Sequence, residues 1–165
     1  MTDKNYMLKS THKILLEKVK ILNKKLGGDI ARELSQAYET GGQWHDNPHW
    51  DGMLQDQQQL IKKLQKILSV LKSAVFIEDL FLKGDVVTVG VKIEVEDEAH
   101  KKNIYKIVGS WDVEYNPLCK EKGFISYQSP LAYQLIGKFV GDEVSVILPA
   151  KNKTVVILAI ELMTI

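Results

Sequence analysis

Apolar residues in the first half of the chain recur at helical spacing. The separations are three or four residues along two arms: Leu15, Val19, Leu22, Leu26, Ile30, Leu34 and Ala37 in the first, and Leu60, Leu64, Ile67, Leu71 and Ala74 in the second. This is the a/d seam of a coiled coil. We predict two helices folded back on each other as an antiparallel hairpin. The alternative is that both helices pack on the second half of the chain.

Two adjacent glycines, Gly27 and Gly28, interrupt the first arm. Each costs about 1 kcal/mol relative to alanine inside a helix. Asp29 follows them and is a suitable cap for a restarted helix. The pattern predicts a kink or a short break here, and a continuous but weakened helix is the alternative.

The second half of the chain changes to a period of two, which is typical of β-strands. Apolar and polar residues alternate from Val87 to Val95, and four further strands are predicted at 104–108, 124–127, 144–148 and 155–162. Between the third and fourth strands, Ser129 is suited to cap a short helix, with Pro130 at its first position and Gly137 at its end. The predicted fold is α+β: a coiled-coil domain at 1–79, then an antiparallel sheet with one short helix at 80–165.

Composition agrees with an ordinary globular protein, at 45% apolar and 26% charged residues. The single cysteine, Cys119, excludes an internal disulfide bond and favours a reducing compartment. The N-terminus is polar, and the most apolar run, 155–163, is too short to span a bilayer. We therefore expect a cytoplasmic protein with no membrane partner.

Charge is divided into blocks along the two arms. Residues 1–28 carry a net charge of +5, residues 29–60 a net charge of −5, and residues 61–77 a net charge of +4. In a hairpin, the two basic blocks lie side by side at the base and the acidic block forms the distal half. The basic half is suited to nucleic-acid phosphates; the alternative is a solvated coiled-coil surface.

The loop at 41–52 joins the two arms. His45 and His49 are four residues apart, a spacing that places two metal ligands on one helix face. However, Pro48 suits the first helical position, which makes Asn47 the cap and leaves His45 outside the helix. This geometry argues against a structural zinc site made by the two histidines.

Asp46 lies in the same loop between two exposed aromatic residues, Trp44 and Trp50. The two rings pack either on each other or on a partner. The carboxylate of Asp46 is suited to stabilise the start of the following helix. Alternatively, it supplies an oxygen ligand to a Mg²⁺ ion that another molecule holds.

Four motifs of the second half, taken with the hairpin, resemble the GreA/GreB transcript cleavage factors. They are Tyr105-Lys106-Ile107-Val108-Gly109, Ile125-Ser126-Tyr127-Gln128-Ser129-Pro130-Leu131-Ala132, Leu135-Ile136-Gly137-Lys138 and Gly141-Asp142-Glu143-Val144. The resemblance covers nearly the whole chain and is strongest in the second domain. It implies an FKBP-like C-terminal domain that docks on bacterial RNA polymerase at its secondary channel, with the docking segment at Gln128, Ser129 and Pro130.

The resemblance also implies that the hairpin enters the channel and brings its tip to the polymerase active site. The factor is then no enzyme, has no cofactor of its own, acts as a monomer, and shares a Mg²⁺ ion through Asp46 while the polymerase cleaves the RNA. The lysines expected near the nascent RNA 3′ end are Lys18, Lys24, Lys25, Lys62, Lys63 and Lys66.

The tip departs from the family pattern G-D-L-x-E-N-A-E-Y. Asp46 and Asn47 align with its E-N pair, whereas Gln43 replaces its first aspartate. The predicted tip residues are therefore Gln43, Asp46 and Asn47, with one carboxylate where the family has two. A neutral amide attracts Mg²⁺ less than a carboxylate, so we expect weakened stimulation of transcript cleavage.

Two alternative functions remain open from the sequence. One is an inhibitor of the same fold that occupies the channel without promoting cleavage. The other is an FKBP-like peptidyl-prolyl isomerase with a coiled-coil arm. An isomerase requires an aromatic-lined pocket, and no spacing in the second domain marks one.

Overall fold

The computed structural model describes residues 4–39, 48–80, 82, 84–147 and 152–163, with the backbone alone at 29, 34, 37–39 and 48–50. The elements in chain order are β1 (Asn5–Met7), α1 (Lys9–Lys24), a π-helical segment (Lys25–Ile30), α2 (Ala31–Glu39), α3 (Pro48–Lys72), β2 (Ala74–Phe76), β3 (Val91–Asp97), β4 (Lys102–Val108), α4 (Ser110–Tyr115), β5 (Phe124–Ser126), α5 (Pro130–Leu135), β6 (Glu143–Val146) and β7 (Lys153–Leu162), with 3₁₀ turns at Ile77–Asp79 and Pro117–Lys120. This order confirms the predicted α+β class.

The chain forms two compact units. A hairpin unit comprises Lys13–Ser73, and a sheet unit comprises Met1–His12 together with Ala74–Ile165. The predicted domain limits of 1–79 and 80–165 remain a prediction. In the structure, the N-terminal residues 4–12 pack with the sheet unit.

In the hairpin unit, the predicted seam is the buried side of the helices. Leu15, Leu22, Ile30 and Ile67 are at most 7% exposed. Helix α3 packs against the π-helical segment and α2, and it begins at Pro48 as predicted. The last predicted seam residue, Ala74, lies instead in β2, because α3 ends at Lys72.

The two glycines of the first arm lie in the π-helical segment, so the predicted short break is absent, while the predicted kink stays a prediction. The residues on either side, Lys24 and Ala31, both have right-handed helical backbone angles. The helix therefore continues through Gly27 and Gly28 with a local change of hydrogen bonding, as the alternative of a continuous helix proposed. Such π segments occur mostly as short insertions within α-helices.

The sheet unit contains five strands in the order β5-β4-β3-β7-β6. All neighbours are antiparallel except β4 and β5, which are parallel. The core includes the inward residues of β3 (Val91, Ile93 and Val95), with Ala132 and Leu135 of α5 packed among them. Among the described residues, none of the helices is long and apolar enough to cross a membrane.

The first predicted strand is shorter than the alternation indicated. Val87 and Val89 are buried as expected, but β3 begins only at Val91. Gly90 has a positive φ of 93°, which ends the extended backbone at that point. Val87 pairs instead with the loop after α5, where its amide donates to the Lys138 carbonyl at 2.8 Å.

The structure also contains two features that the sequence did not indicate. Helix α4 follows β4 directly, so α5 is not alone in this unit. Strand β1 pairs in parallel with β2, with Asn5 opposite Ala74 and Met7 opposite Phe76. Both features place the N-terminal residues beside the segment that carries the candidate site.

Candidate functional site

The three residues predicted to dock, Gln128, Ser129 and Pro130, lie in the short connection from β5 to α5. Gln128 and Pro130 are exposed, and Ser129 is half-buried. The structure therefore presents two of the three side chains openly on the surface of the sheet unit.

Ser129 has a local structural role in this connection. Its side-chain oxygen accepts a hydrogen bond from the Ala132 amide at 3.2 Å, as an N-cap residue does. Pro130 occupies the first turn of α5, where its fixed φ fits the helix. Both predictions for the helix start are confirmed.

Gln128 is held by hydrogen bonds from both sides of its amide. The Ser110 hydroxyl donates to Gln128 Oε1 at 2.7 Å. The Gln128 Nε2 group donates to the Tyr127 hydroxyl oxygen at 3.0 Å. Tyr127 in turn donates its hydroxyl proton to the Lys4 carbonyl at 3.1 Å. An exposed glutamine is thus connected to the N-terminal segment.

The Lys4 carbonyl fixes the direction of the hydrogen bonds that the Tyr127 hydroxyl makes. The Lys4 carbonyl only accepts, so the Tyr127 hydroxyl must donate to it and is left to accept from Gln128. At the other end, the Gln128 amide nitrogen of the backbone donates to Ser126 Oγ at 3.1 Å. The Gln128 Oε1 atom only accepts, so the Ser110 hydroxyl donates to it, and the contact of 2.8 Å between Ser110 Oγ and Ser126 Oγ then takes its proton from Ser126.

Tyr127 is positioned by packing as well as by its hydroxyl group. Its ring meets the Tyr6 ring edge-on at a centroid distance of 5.5 Å, a preferred geometry for aromatic pairs. The same ring packs against the buried residues of the sheet unit. The apolar part of Tyr127 is therefore anchored while its hydroxyl reaches the surface network.

The N-terminal strand reaches this site because Gly109 allows a very close approach. A Cβ atom at Gly109 would lie 1.9 Å from the Tyr6 carbonyl oxygen. Only glycine tolerates such an approach of two backbones. Since Ser110 is the next residue, this contact also sets the position of the hydroxyl that holds Gln128.

A buried polar cluster holds the segment after β1 in place. Asp112 is fully buried and accepts from the Leu8 amide at 3.0 Å and from the Gly109 amide at 2.8 Å. Asn116 donates to Thr11 Oγ1 at 3.0 Å. Burial raises the pKa of the Asp112 carboxyl above its ordinary value, while the hydrogen bonds from Thr11, Leu8 and Gly109 oppose that rise. The paired buried groups fix the start of α1 on α4.

Known proteins match this chain over both halves. Residues 82–162 match the family model described as transcription elongation factor GreA/GreB, C-terminal. Transcription elongation factor GreA of Nautilia profundicola is 32% identical over 91% of this chain and 90% of its own length. The chain belongs to the GreA/GreB family. A second GreA, from Clostridium acetobutylicum, is 34% identical over 90% of this chain and 91% of its own.

Two solved structures align with this chain over different shares of its length. The crystal structure of GreA factor homolog 1 of Thermus thermophilus covers 96% of this chain and 99% of its own, at 21% identity and a TM-score of 0.42. A GreA/GreB factor from Nitrosomonas europaea covers 59% of this chain and 78% of its own, at 22% identity and a TM-score of 0.38.

The six lysines predicted to lie near RNA are all in the helical hairpin of this GreA/GreB chain. Lys18 is half-buried, and the other five are exposed: Lys24, Lys25, Lys62, Lys63 and Lys66. Lys25 and Lys63 line one cleft of about 470 Å³ together with Glu33 and Asp56. The structure thus brings two of the six together, beside acidic groups that reduce the local positive field.

The predicted tip residues, Gln43, Asp46 and Asn47, lie outside the described residues, as do Trp44 and His45. Their proposed role stays a prediction from the sequence. The donor set suits Mg²⁺, which prefers oxygen ligands, but it holds one formal negative charge. Elsewhere, the described part of the chain has no group of three His, Cys, Asp or Glu side chains suited to a metal ion.

Sequence reasoning missed the residues that hold Gln128. Tyr127 and Ser126 stood inside a recognised motif, but nothing marked them as hydrogen-bond partners. Ser110 is 18 residues from Gln128, and Lys4 is 123 residues from Tyr127. No local pattern connects positions so far apart, and only the folded chain shows the network.

Proposed function

We propose that this chain is a secondary-channel transcription factor that binds bacterial RNA polymerase through its sheet unit. Gln128 and Pro130 form the docking contact, and the hairpin carries the tip into the channel. The chain modulates elongation and the cleavage of backtracked RNA, and the polymerase performs the chemistry. Family membership supports the transcription role, and the exposed, hydrogen-bonded Gln128 is the observation that carries the docking assignment.

Docking is tested by co-purification with RNA polymerase core. We expect the wild-type chain to be retained by immobilised core and the Gln128→Ala/Pro130→Ala double variant to be lost. Lys122→Ala, which changes an exposed residue before β5, is the matched control and should bind as the wild type does. Full retention of the double variant would overturn the docking assignment.

At the tip, we propose that Asp46 supplies the one carboxylate that helps hold the second Mg²⁺ ion of the polymerase. Gln43 offers only a neutral oxygen, so stimulation of transcript cleavage is weak. In stalled elongation complexes, we expect Gln43→Asp to increase the rate of transcript shortening and Asp46→Ala to abolish it. Asp85→Ala, which removes an exposed acid of the sheet unit, should leave the rate unchanged.

A second candidate function is a channel-blocking inhibitor of the same fold. The observation that favours it is Gln43, because a tip with one carboxylate can fill the channel without completing a metal site. Inhibition of RNA synthesis with no transcript shortening, in both the wild type and Gln43→Asp, would support the inhibitor and exclude the cleavage role.

The third candidate from the sequence, a prolyl isomerase, gains no support from the sheet unit. One cleft of the sheet unit has a volume of about 280 Å³, and its described lining residues are Ile77, Glu78, Leu80, Leu82, Gly90, Leu162 and Met163. A proline pocket needs apolar aromatic walls, and the described lining of this cleft contains no aromatic side chain. We expect no acceleration of cis-trans isomerisation in a short proline peptide.

We also propose that the chain acts as a monomer in the cytoplasm. Its partner is then the polymerase with its nascent RNA and not a second copy. Light scattering of the purified chain is expected to give the mass of one copy, and a dimer mass at micromolar concentration would contradict this.

A further inference from the structure

We propose that Tyr127 and Ser110 are positioning residues that hold the amide of Gln128 in the orientation required for docking. The inference rests on the proposed function and extends it to residues that do not themselves touch the partner. It follows from the geometry of the hydrogen bonds and from the exposure of Gln128.

An exposed glutamine normally samples many rotamers, and a partner that binds it must order it first. Here both ends of the amide are already bonded, at 2.7 Å to Ser110 and at 3.0 Å to Tyr127. Ordering before binding reduces the entropy cost of association. The network therefore increases affinity without adding a contact to the partner.

The fixed polarity of the network decides which groups Gln128 still offers. A glutamine amide has two N–H donors and two acceptor lone pairs. Tyr127 takes one donor, and Ser110 takes one lone pair. One N–H and one lone pair remain for the polymerase, which matches the donor and acceptor of a peptide group. The proposed contact on the polymerase is therefore a backbone amide or an amide side chain.

The positioning residues are themselves held by the N-terminal strand. The Tyr127 hydroxyl is anchored on the Lys4 carbonyl at 3.1 Å, and Tyr6 packs edge-on against the Tyr127 ring. On the other side, the Gly109 contact with Tyr6 sets the place of Ser110. Strand β1 and the preceding Lys4 thus position both hydroxyl groups that bind the Gln128 amide.

A double-mutant cycle on the full chain separates this role from a general structural one. The measurement is the Kd for fluorescently labelled RNA polymerase core, with the melting temperature of each variant as a folding check. We expect Tyr127→Phe and Ser110→Ala each to weaken binding about three- to tenfold, the range of one lost hydrogen bond. In the Gln128→Ala background, either change should have no further effect, because the group it positions is absent.

Three further variants test the polarity and the specificity of the effect. Gln128→Glu keeps the size but cannot donate to Tyr127, so it should bind no better than Gln128→Ala. Tyr105→Phe removes another partly buried tyrosine hydroxyl of the sheet unit and should bind as the wild type does. Ser110→Thr keeps the hydroxyl and should restore most of the affinity lost in Ser110→Ala.

The outcomes distinguish failure of the inference from failure of the proposed function. If Gln128→Ala weakens binding while Tyr127→Phe and Ser110→Ala do not, docking stands and the positioning role is wrong. If the changes are additive with Gln128→Ala, the hydroxyl groups act by another route and the inference is overturned. If the wild-type chain does not bind core polymerase at all, both proposals fall.

Discussion

Glycine has opposite roles in the two units of this protein. In the sheet unit, Gly109 is required by space, since a Cβ atom there would lie 1.9 Å from the Tyr6 carbonyl oxygen. In the hairpin unit, Gly27 and Gly28 have nothing within 4 Å of the corresponding position. The first glycine stabilises a specific contact, whereas the other two weaken a helix that has room for larger residues.

Buried polar groups show a related contrast. The sheet unit buries Thr11, Asp112 and Asn116 and pairs them with one another and with backbone groups. Among the residues whose burial the structure describes, the hairpin unit buries only apolar side chains. Exposed apolar side chains do not separate the units, since Ile21 of the hairpin and Ile147 of the sheet unit are both 67% exposed. The difference between the units therefore lies in their buried polar contacts.

The substitution Gly109→Ala is expected to change the stability of the protein the most. The new methyl group cannot fit against the Tyr6 carbonyl, so β1 must move away from α4. We expect the free energy of unfolding to fall by about 3 kcal/mol or more. The melting temperature should fall by roughly 10 °C.

The matched control is Gly52→Ala, because Gly52 lies in α3 with open space around it. It should not reduce the melting temperature. An unchanged melting temperature for Gly109→Ala would show that the contact with Tyr6 does not constrain the sheet unit.

The next effect is that of Asp112→Asn, at about 2 kcal/mol of lost stability. Asparagine has one oxygen where the carboxyl group has two, so the Leu8 or the Gly109 amide loses its acceptor. Denaturant unfolding at neutral pH measures the loss. A variant as stable as the wild type would show that the cluster does not hold β1.

The same variant has a signature in its pH dependence. Burial raises the pKa of the Asp112 carboxyl above 3.8, so the folded state holds this proton more tightly than the unfolded state. The stability that the protonated Asp112 carboxyl contributes is fully present below pH 3.8 and is lost as the pH rises through the pKa of the folded state. The deficit of Asp112→Asn should therefore be larger near pH 3.8 than at neutral pH.

The smallest expected change in stability, and the only increase, is in the hairpin unit. Gly27→Ala and Gly28→Ala should each raise the free energy of unfolding by about 1 kcal/mol, because alanine is a better helix former and has room. Circular dichroism of the melting transition checks this. A loss of stability in either variant would show that the π-helical segment requires glycine and would remove the contrast with Gly109.

Local patterns predicted the elements that are long or sharply bounded. The seam positions Leu22 and Ile67 are buried, and the cap at Ser129 is formed as expected. Strand β3 was predicted too long because alternation continues across Gly90, whose positive φ is visible only in the structure. Val87 and Val89 are buried as the alternation predicted, although they lie outside β3.

The rest depends on contacts between distant parts of the chain. Strands β1 and β2 have three residues each, too few for a periodic signal. The bond from the Leu8 amide to Asp112 spans 104 residues, and the bond from the Tyr127 hydroxyl to the Lys4 carbonyl spans 123. The proposed docking segment could therefore be named from its motif, whereas the hydrogen-bond network around Gln128 could not.

The most direct test of the central claim is hydrogen-deuterium exchange of the full chain, measured with and without RNA polymerase core. The docking claim predicts slower exchange in peptides that cover residues 127–135 when core is present. Peptides that cover β3 and β7 should be unchanged. Binding of core without any protection of residues 127–135 would contradict the claim that this connection is the docking surface.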